Sequence, residues 1–248
     1  MVRPFARHYD AIYSDKDYDS DIGVLSTLCG SKELCTSRVL EIGAGTASHT
    51  VRLASRAKEL VSLEIDLDFA MLARRKVEAT AHANVQLSSR PLDQLVDGGF
   101  DGAAAFFHVL NYIAPVDHSS FLKALSSRLV PGAWFVTDLW NGDAVLRDPP
   151  RGEIRDKTFG TTTIQQKITP TVDAIARTVT LGYEIDFRQG GNIERFAEEL
   201  KLYVWPLSDL QARLAEAGFT DIQFWDWRRF PAPATPDSWR IWMRAIRR

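Results

Sequence analysis

Two acidic side chains close short apolar runs, and a tight glycine turn lies between them. Glu41 sits in Arg38-Val39-Leu40-Glu41-Ile42, ahead of Gly43-Ala44-Gly45-Thr46, and Glu64 follows Leu60-Val61-Ser62-Leu63. A strand, a glycine turn and a helix N-terminus are the layout that holds nucleotide-like ligands in doubly wound α/β folds. A carboxylate in front of that turn repels phosphate but accepts hydrogen bonds from a cationic or hydroxyl-bearing ligand. A carboxylate at the end of the next strand accepts from both ribose hydroxyls. Glu64 suits this place, with Asp66 the competing candidate, although Asp66 also suits the N-cap of the helix that follows. A dinucleotide turn wants Gly or Ala at position 48, and the chain has Ser48 there. The expected ligand is therefore a phosphate-free adenosyl sulfonium, S-adenosylmethionine. Glu41 and the Gly43–Gly45 backbone would hold its methionyl end and Glu64 the ribose, with Ala44, Thr46 and Ile65 also expected at the cofactor.

Further groups with usable chemistry follow two later apolar runs. His108, Asn111 and Tyr112 come just after Phe100–Phe107, and Asp138-Leu139-Trp140-Asn141 ends Trp134–Asp138. Ligands of open α/β sheets sit outside the carboxyl ends of the strands. There His108 can take a proton from an acceptor near neutral pH; the competing reading is a packed residue that offers the cofactor only backbone contacts, as Phe107 would. Asp138 is the second candidate for catalysis. Asn111, Tyr112 and Asn141 would orient an acceptor and Trp140 would wall its pocket, against a plain reading as sheet-edge packing. Tyr9, Tyr13 and Tyr18 offer aromatic faces to a sulfonium, an attraction of about 0.5–2 kcal/mol, or simply pack an amphipathic helix. Tyr13 and Tyr18 are assigned to the cofactor and Tyr9 to the acceptor. His49 reads as structural.

These groups need a scaffold of alternating elements. Strands are expected at Val39–Ile42, Leu60–Glu64, Val85–Leu87, Phe100–Phe107 and Trp134–Asp138, with helices near 47–57, 69–79 and 121–129, the last closed by Pro131-Gly132. That alternation implies a mostly parallel sheet with helices on both faces. After Asp148-Pro149-Pro150 the rhythm changes to β-branched alternation in Thr158–Ile168, Thr178–Phe187 and Phe196–Trp205, three neighbouring antiparallel strands. A helix at Leu207–Ala217, capped by Gly218, and strands at Ile222–Trp227 and Trp239–Ile246 complete the chain. Residues 1–37 read as amphipathic helix broken by Ser14–Asp19.

Composition narrows the function class. The 248 residues carry a net charge of −2, and the sequence pI is about 6.2, which gives no support to nucleic-acid binding. The arginines Arg240, Arg244, Arg247 and Arg248 read as a solvated strand end. Cys29 and Cys35 lack metal-site spacing and suggest no disulfide framework, so no metal is expected and a reduced, cytoplasmic setting is. No apolar run approaches a membrane span, and the N-terminus has no signal-peptide core.

The chain resembles the class I S-adenosylmethionine-dependent methyltransferases. Val39–Thr46 is similar to their first motif, Leu63-Glu64-Ile65-Asp66 to the acidic second motif, and Phe100-Asp101-Gly102 with Phe107–Tyr112 to the fourth-strand region. Leu129-Val130-Pro131-Gly132-Ala133 is similar to their turn before the fifth strand. Tyr9-Asp10-Ala11-Ile12-Tyr13 and Lys16-Asp17-Tyr18 resemble the N-terminal segment of bacterial aminosugar and glycine-type methyltransferases. The resemblance implies a Rossmann-like doubly wound sheet with a C-terminal antiparallel hairpin and an inserted antiparallel meander. It implies an N-terminal lid at 1–37, a cofactor core at 38–148, inserted acceptor-pocket strands at 149–205 and a return to the core at 206–248. Ala47 stands where relatives have a third glycine, a change that an unstrained helix start would tolerate. Ser88-Ser89-Arg90-Pro91 lacks the usual adenine-binding acid and leaves Ser89 as the adenine contact. The implied reaction moves a methyl group to N or O of a small acceptor, a sugar or aminosugar first, and leaves S-adenosylhomocysteine. The meander offers an edge for a homodimer. A nicotinamide-dependent oxidoreductase and a non-catalytic adenosyl-binding subunit are the rival readings.

Overall fold

The computed structural model describes residues 2–248. Five parallel strands form the centre of the main sheet: β1 (Arg38–Ile42), β2 (Glu59–Leu63), β3 (Val85–Ser88), β4 (Phe100–Ala105) and β5 (Leu129–Trp140). Their carriers α4 (Thr50–Ala54), α5 (Leu67–Glu78) and α6 (Pro115–Arg128) are the helices of the alternating pattern. Two antiparallel strands, β10 (Phe219–Asp226) and β11 (Arg240–Arg247), extend the sheet beyond β5 after α8 (Leu207–Glu216), giving the order β10-β11-β5-β4-β1-β2-β3. The order reverses between β1 and β4. Chain direction there splays the connections apart and opens a crevice at the strand ends, which fixes where a ligand can sit.

Strand β1 is buried along nearly its whole length, as a central strand covered on both faces must be. Leu40 and Ile42 face a core shared with Leu63, Ala103, Phe135 and Leu210, while Val39 faces the opposite core with Leu53, Leu60, Ala104 and Val136. That second core also takes the apolar side of α2 (Tyr18–Cys29) and of α3 (Ser31–Thr36).

A second sheet follows α7 (Gly142–Arg147). It contains four strands, not three: β6 (Glu153–Phe159), β7 (Thr162–Asp173), β8 (Thr178–Gln189) and β9 (Asn192–Tyr203), all antiparallel in sequence order. The extra strand β6 is polar and mostly exposed, so it carries no apolar alternation to read. One face of this sheet packs Ile164, Val179, Ile185 and Leu202 against α1 (Pro4–Ile12) through Phe5 and Ile12.

Other boundaries also differ from expectation. The first crossover helix spans only Thr50–Ala54, because Ala47 is left-handed (φ 66°) and delays the helix. Ala47 is thus not in an unstrained helix start; its Cβ sits in a region costing roughly 1–2 kcal/mol. Strand β5 already begins at Leu129, with a register shift opposite Phe100–Gly102, so Pro131-Gly132 lies inside the strand's irregular opening.

The two sheets meet at Gly142. Its N–H donates to the Trp205 carbonyl at 2.8 Å, and a Cβ there would lie 2.5 Å from the Trp205 carbonyl carbon. Backbone cannot yield as a side-chain tip can. Gly142→Ala is expected to lower stability by about 1–3 kcal/mol, read as a lower urea midpoint at unchanged slope.

Candidate active site

A cavity of 1380 Å³ opens at the strand ends beside the β1/β4 reversal. Gly43, Gly45, Glu64 and Ile65 line one part; Phe107, His108, Tyr112 and Trp140 form its middle; Ile168, Leu181, Tyr183 and Leu200 of the second sheet wall the far part. Tyr9 and Tyr13 cover it from the N-terminal side.

The turn after β1 needs its glycines for two reasons. Gly43 (φ 75°) approaches Val109 so closely that a Cβ would lie 2.5 Å from Val109 Cγ2. Gly45 (φ 57°) is different: a Cβ added there would meet nothing within 4 Å. It borders the cavity, so its bare Cα leaves ligand space. The N–H groups of Gly43 and Ala44 both donate to the Leu63 carbonyl at 2.9 Å, locking the turn to β2. Glu64 completes it: Oε2 accepts from Gly45 N at 2.7 Å and Oε1 from Asp66 N at 2.9 Å. A carboxylate keeps further lone pairs after two such bonds, and these border the cavity. Burial pushes the Glu64 carboxyl above its usual range, while the two backbone donors act in the other direction. Asp66 is the N-cap of α5, accepting from Asp68 N and Phe69 N, and it pairs with Arg3 at 2.5 Å.

Glu41 does not reach the cavity wall. It points to the opposite side of β1, where its Oε2 accepts from Thr50 Oγ1 and Ser62 Oγ, both at 2.7 Å. Burial pushes its carboxyl up to about 7 against those two bonds. Its observed work is to brace β1, β2 and α4 beneath the turn. Thr46 also turns away, donating to Asp10 Oδ1 of α1 at 2.5 Å, and Ala44 is buried. Ser89 lies past β3 and is not on the wall; Tyr18 packs edge-on against His49 at 4.8 Å and is not on it either.

At the middle of the cavity Phe107 (φ 64°) and His108 (φ 53°) are both left-handed. Strain of this kind persists only where surroundings over-determine it. Asp138 supplies the restraint: fully buried, it accepts from His108 N at 3.2 Å and from Arg240 Nε and Nη2 at 2.9 and 2.6 Å. The Asp138 carboxylate is therefore committed to Arg240 and is not a free base. His108 Nδ1 is buried without a hydrogen-bond partner among the described residues. Burial, and then the Arg240 charge, push the His108 imidazole down to about 3, so it is neutral at physiological pH.

Asn111 and Asn141 are likewise committed elsewhere. Asn111 accepts from Trp140 N at 2.9 Å and donates to the Tyr203 carbonyl at 2.8 Å; it ties the 3-10 turn Val109–Tyr112 to β5 and β9. Asn141 caps α7 through Asp143 N and donates to the Ser238 carbonyl. Neither lines the cavity. Of the sequence-derived set, Tyr9, Tyr13, Gly43, Gly45, Glu64, Ile65, Phe107, His108, Tyr112 and Trp140 do, and so does Asp66, the competing ribose candidate.

Arg240 is one of several wall residues that the sequence reading missed, with Arg3, Arg155 and Trp227 among the others; it was taken there as part of a solvated strand end. It borders the cavity and lies 4.1 Å from the centroid of the Trp227 ring. The second-sheet wall and Phe69 carry no signal beyond apolar alternation.

Residues 39–132 match the family model of a methyltransferase domain. That stretch of the chain is therefore similar to a methyltransferase domain. Over 58 residues the chain is 41% identical to a probable dimethyladenosine transferase of Drosophila melanogaster, a match covering 23% of this chain and 19% of that relative. Its fold is that of an S-adenosylmethionine-dependent methyltransferase of Clostridium acetobutylicum, with TM-score 0.82 at 19% identity over 98% of this chain and 97% of the other. It is also similar to CalS10, an amino pentose methyltransferase of Micromonospora echinaspora, with TM-score 0.76 at 18% identity over 97% and 96% of the two chains.

The residues that line the cavity fit S-adenosylmethionine. Gly45 leaves room at the turn, and Glu64 presents a carboxylate without a competing phosphate site. The volume exceeds the ~300–1,000 Å³ of an ordinary small-molecule pocket, which suits two ligands side by side. When bound, S-adenosylmethionine supplies a methyl group already activated by positive sulfur. The protein's task is then mainly to align donor and acceptor, which orientation alone makes faster. Among the described residues no group of three or more His, Cys, Asp or Glu is placed to hold a metal ion, and no helix is long and apolar enough to cross a membrane.

Proposed function

We propose that this chain is an S-adenosylmethionine-dependent methyltransferase that methylates the nitrogen of a small amine, with an amino sugar as the first candidate. The carrying observation is the state of the groups beside the reaction space. His108 is buried and neutral, held down to about 3, and Asp138 is fixed on Arg240. A hydroxyl acceptor needs a base of matched strength to take its proton. An amine needs only to arrive unprotonated, and its lone pair then attacks without further help. The aromatic wall of Tyr9, Tyr13, Tyr112, Tyr183 and Trp140 supports the same reading, because aromatic faces favour amines that gain charge on methylation. The likeness to an amino pentose methyltransferase is consistent with it.

In this scheme Glu64 holds the ribose, the Gly43–Gly45 backbone meets the methionyl end, and His108 Nδ1 accepts a hydrogen from the incoming nitrogen and orients its lone pair. Tyr9 and Tyr13 on the N-terminal side exclude water from the cavity.

The test is release of S-adenosylhomocysteine with paired sugars that carry an amine or a hydroxyl at the same position. Turnover of the amine alone supports the proposal, and turnover of the hydroxyl partner alone overturns it. The pH profile is a second check. Below the acceptor amine's own pKa the rate is expected to rise about tenfold per pH unit, following the unprotonated fraction. No inflection from His108 is expected between pH 5 and 8, because its imidazole is neutral throughout that range.

A further inference from the structure

The mouth of the cavity is ringed by arginine. Arg147, Arg151 and Arg155 line it from α7 and the chain that runs into β6; Arg228, Arg229 and Arg240 line it from the β10–β11 connection and the start of β11. Among the described residues no lysine lines the cavity. A guanidinium offers a planar fork that meets a carboxylate or phosphate through two parallel bonds, whereas an ammonium is a point charge. The chain as a whole carries a net charge of −2, so this cationic ring is a local reversal.

The two arms of the ring are joined above the reaction space. Arg147 pairs with Asp237 at 2.5 Å, and Trp239 Nε1 donates to the Asp148 carbonyl at 3.0 Å. Aromatic rings lead inward from there: Trp239 packs on Trp140 (centroids 4.5 Å), and Trp140 on His108 (5.4 Å). An acceptor with its nitrogen at His108 therefore extends its far end along these rings to the arginines.

The acids on this part of the wall do not use up the arginines. Asp148, Glu153, Asp226 and Asp237 stand against six guanidinium groups. Asp226 is committed to its own connection, accepting from Arg228 N, Arg229 N and Ser238 Oγ as well as from Arg229 Nη2. Arg240 is held by Asp138. The Arg151–Asp148 contact is loose, 3.8 Å between side chains 90% and 78% exposed. Exposed pairs of this kind hold weakly, so an incoming oxyanion can take the guanidinium from its carboxylate. The Arg228 guanidinium has no ion-pair partner among the described residues, although Arg228 borders the cavity. Beside it Trp227, also on the wall, has a buried indole N–H without a hydrogen-bond partner. This corner thus holds both uncompensated charge and a donor in want of an acceptor. Arg3 lies apart, paired with Asp66 at the Glu64 end.

We propose that the mouth is an oxyanion site, centred on Arg228 and Arg155, that binds a phosphate or carboxylate carried by the acceptor at the end away from its nitrogen. The acceptor's inner end rests on the amine reading above; the anion site is testable without any amine.

Calorimetric titration of the protein saturated with S-adenosylhomocysteine tests it. The probes are inorganic phosphate and malonate, followed by glucosamine and its 1- and 6-phosphates. At least one of the two simple anions is expected to bind, the tighter one identifying the group, and a phosphate ester should bind about tenfold or more tighter than glucosamine, the effect of a hydrogen bond to a charged group. Arg228→Met and Arg155→Met should each weaken the anion about tenfold and leave S-adenosylhomocysteine affinity unchanged, which shows in the same samples that the cavity is folded. Asp237→Asn, which frees Arg147, should tighten the anion. The proposal is overturned if neither simple anion binds, if the arginine variants bind it as wild type does, or if neither ester surpasses glucosamine. Binding of the simple anion that depends on Arg228, with no binding of glucosamine or its esters, would instead sink the amine reading and leave the anion site standing.

Discussion

Asp138→Ala is expected to destabilise the fold by about 3–5 kcal/mol, the cost of leaving a buried charge without its partner. The change strands the Arg240 guanidinium, which sits between Trp227 and the cavity. It also frees the His108 N–H, whose bond to Asp138 helps hold a left-handed turn. The check is the urea midpoint of Asp138→Ala against the double variant Asp138→Ala/Arg240→Met. Removing both partners together should recover most of the loss. The pH dependence follows from the same pair. Burial on its own would raise the Asp138 carboxyl, but the Arg240 charge, with help from His108, wins and holds it below the ordinary value of 3.8. A carboxyl depressed in the folded state contributes stability above its unfolded pKa and loses it as pH falls through the folded one. The stability gap between wild type and Asp138→Ala should therefore be full at neutral pH and close only under strongly acidic conditions, below about 3.8. An Asp138 that served as the base would behave differently, losing turnover while the midpoint stayed in place.

The sequence read well where structure is local. Val39–Ile42 and Leu60–Leu63 are continuous apolar runs because both strands are covered on both faces, and the turn between them needs its glycines for reasons of backbone alone. Glu64 and Asp66 were legible for the same reason: one ends a strand and the other caps the next helix, both set by neighbours a few positions away. Glu41 was misplaced although its parity was visible. It shares a face with Val39, not with Leu40 and Ile42, and its register partner is Ser62, whose hydroxyl it binds. Counting alternate positions along β1 would have sent it under the turn. Asp138 was a different kind of miss. Its partner Arg240 lies 102 positions away on an antiparallel strand paired with β5, and no local pattern announces that meeting. Asn111 and Asn141 look like ligand-binding residues because they are polar at strand ends. Those ends are themselves buried, however, and their backbone groups need partners. Strand β6 stayed hidden because its side chains are solvated on both faces.

Glu64→Ala carries the largest expected effect on binding. Affinity for S-adenosylhomocysteine should fall about 100-fold, from losing a charge-assisted acceptor of ribose hydroxyls, each such bond contributing about 1.5–3 kcal/mol. Part of the loss comes from the turn itself, since Gly45 N and Asp66 N both donate to this carboxylate and would be released. Glu64→Gln separates the two contributions. The amide oxygen can still accept from one of the backbone donors but carries no charge, so it should keep the fold near wild-type stability and still bind S-adenosylhomocysteine weakly. Asp66→Ala is the control that assigns the ribose contact. Asp66 is engaged as the α5 cap and with Arg3, so its loss should cost about 1 kcal/mol of stability and little affinity. The opposite pattern, with Asp66→Ala the weaker binder, would move the ribose to Asp66. Acid provides an independent reading: burial holds the Glu64 carboxyl above its usual range, and only the ionised form accepts from both hydroxyls. Wild-type affinity should fall as pH drops through that raised value, and Glu64→Gln should show no such fall.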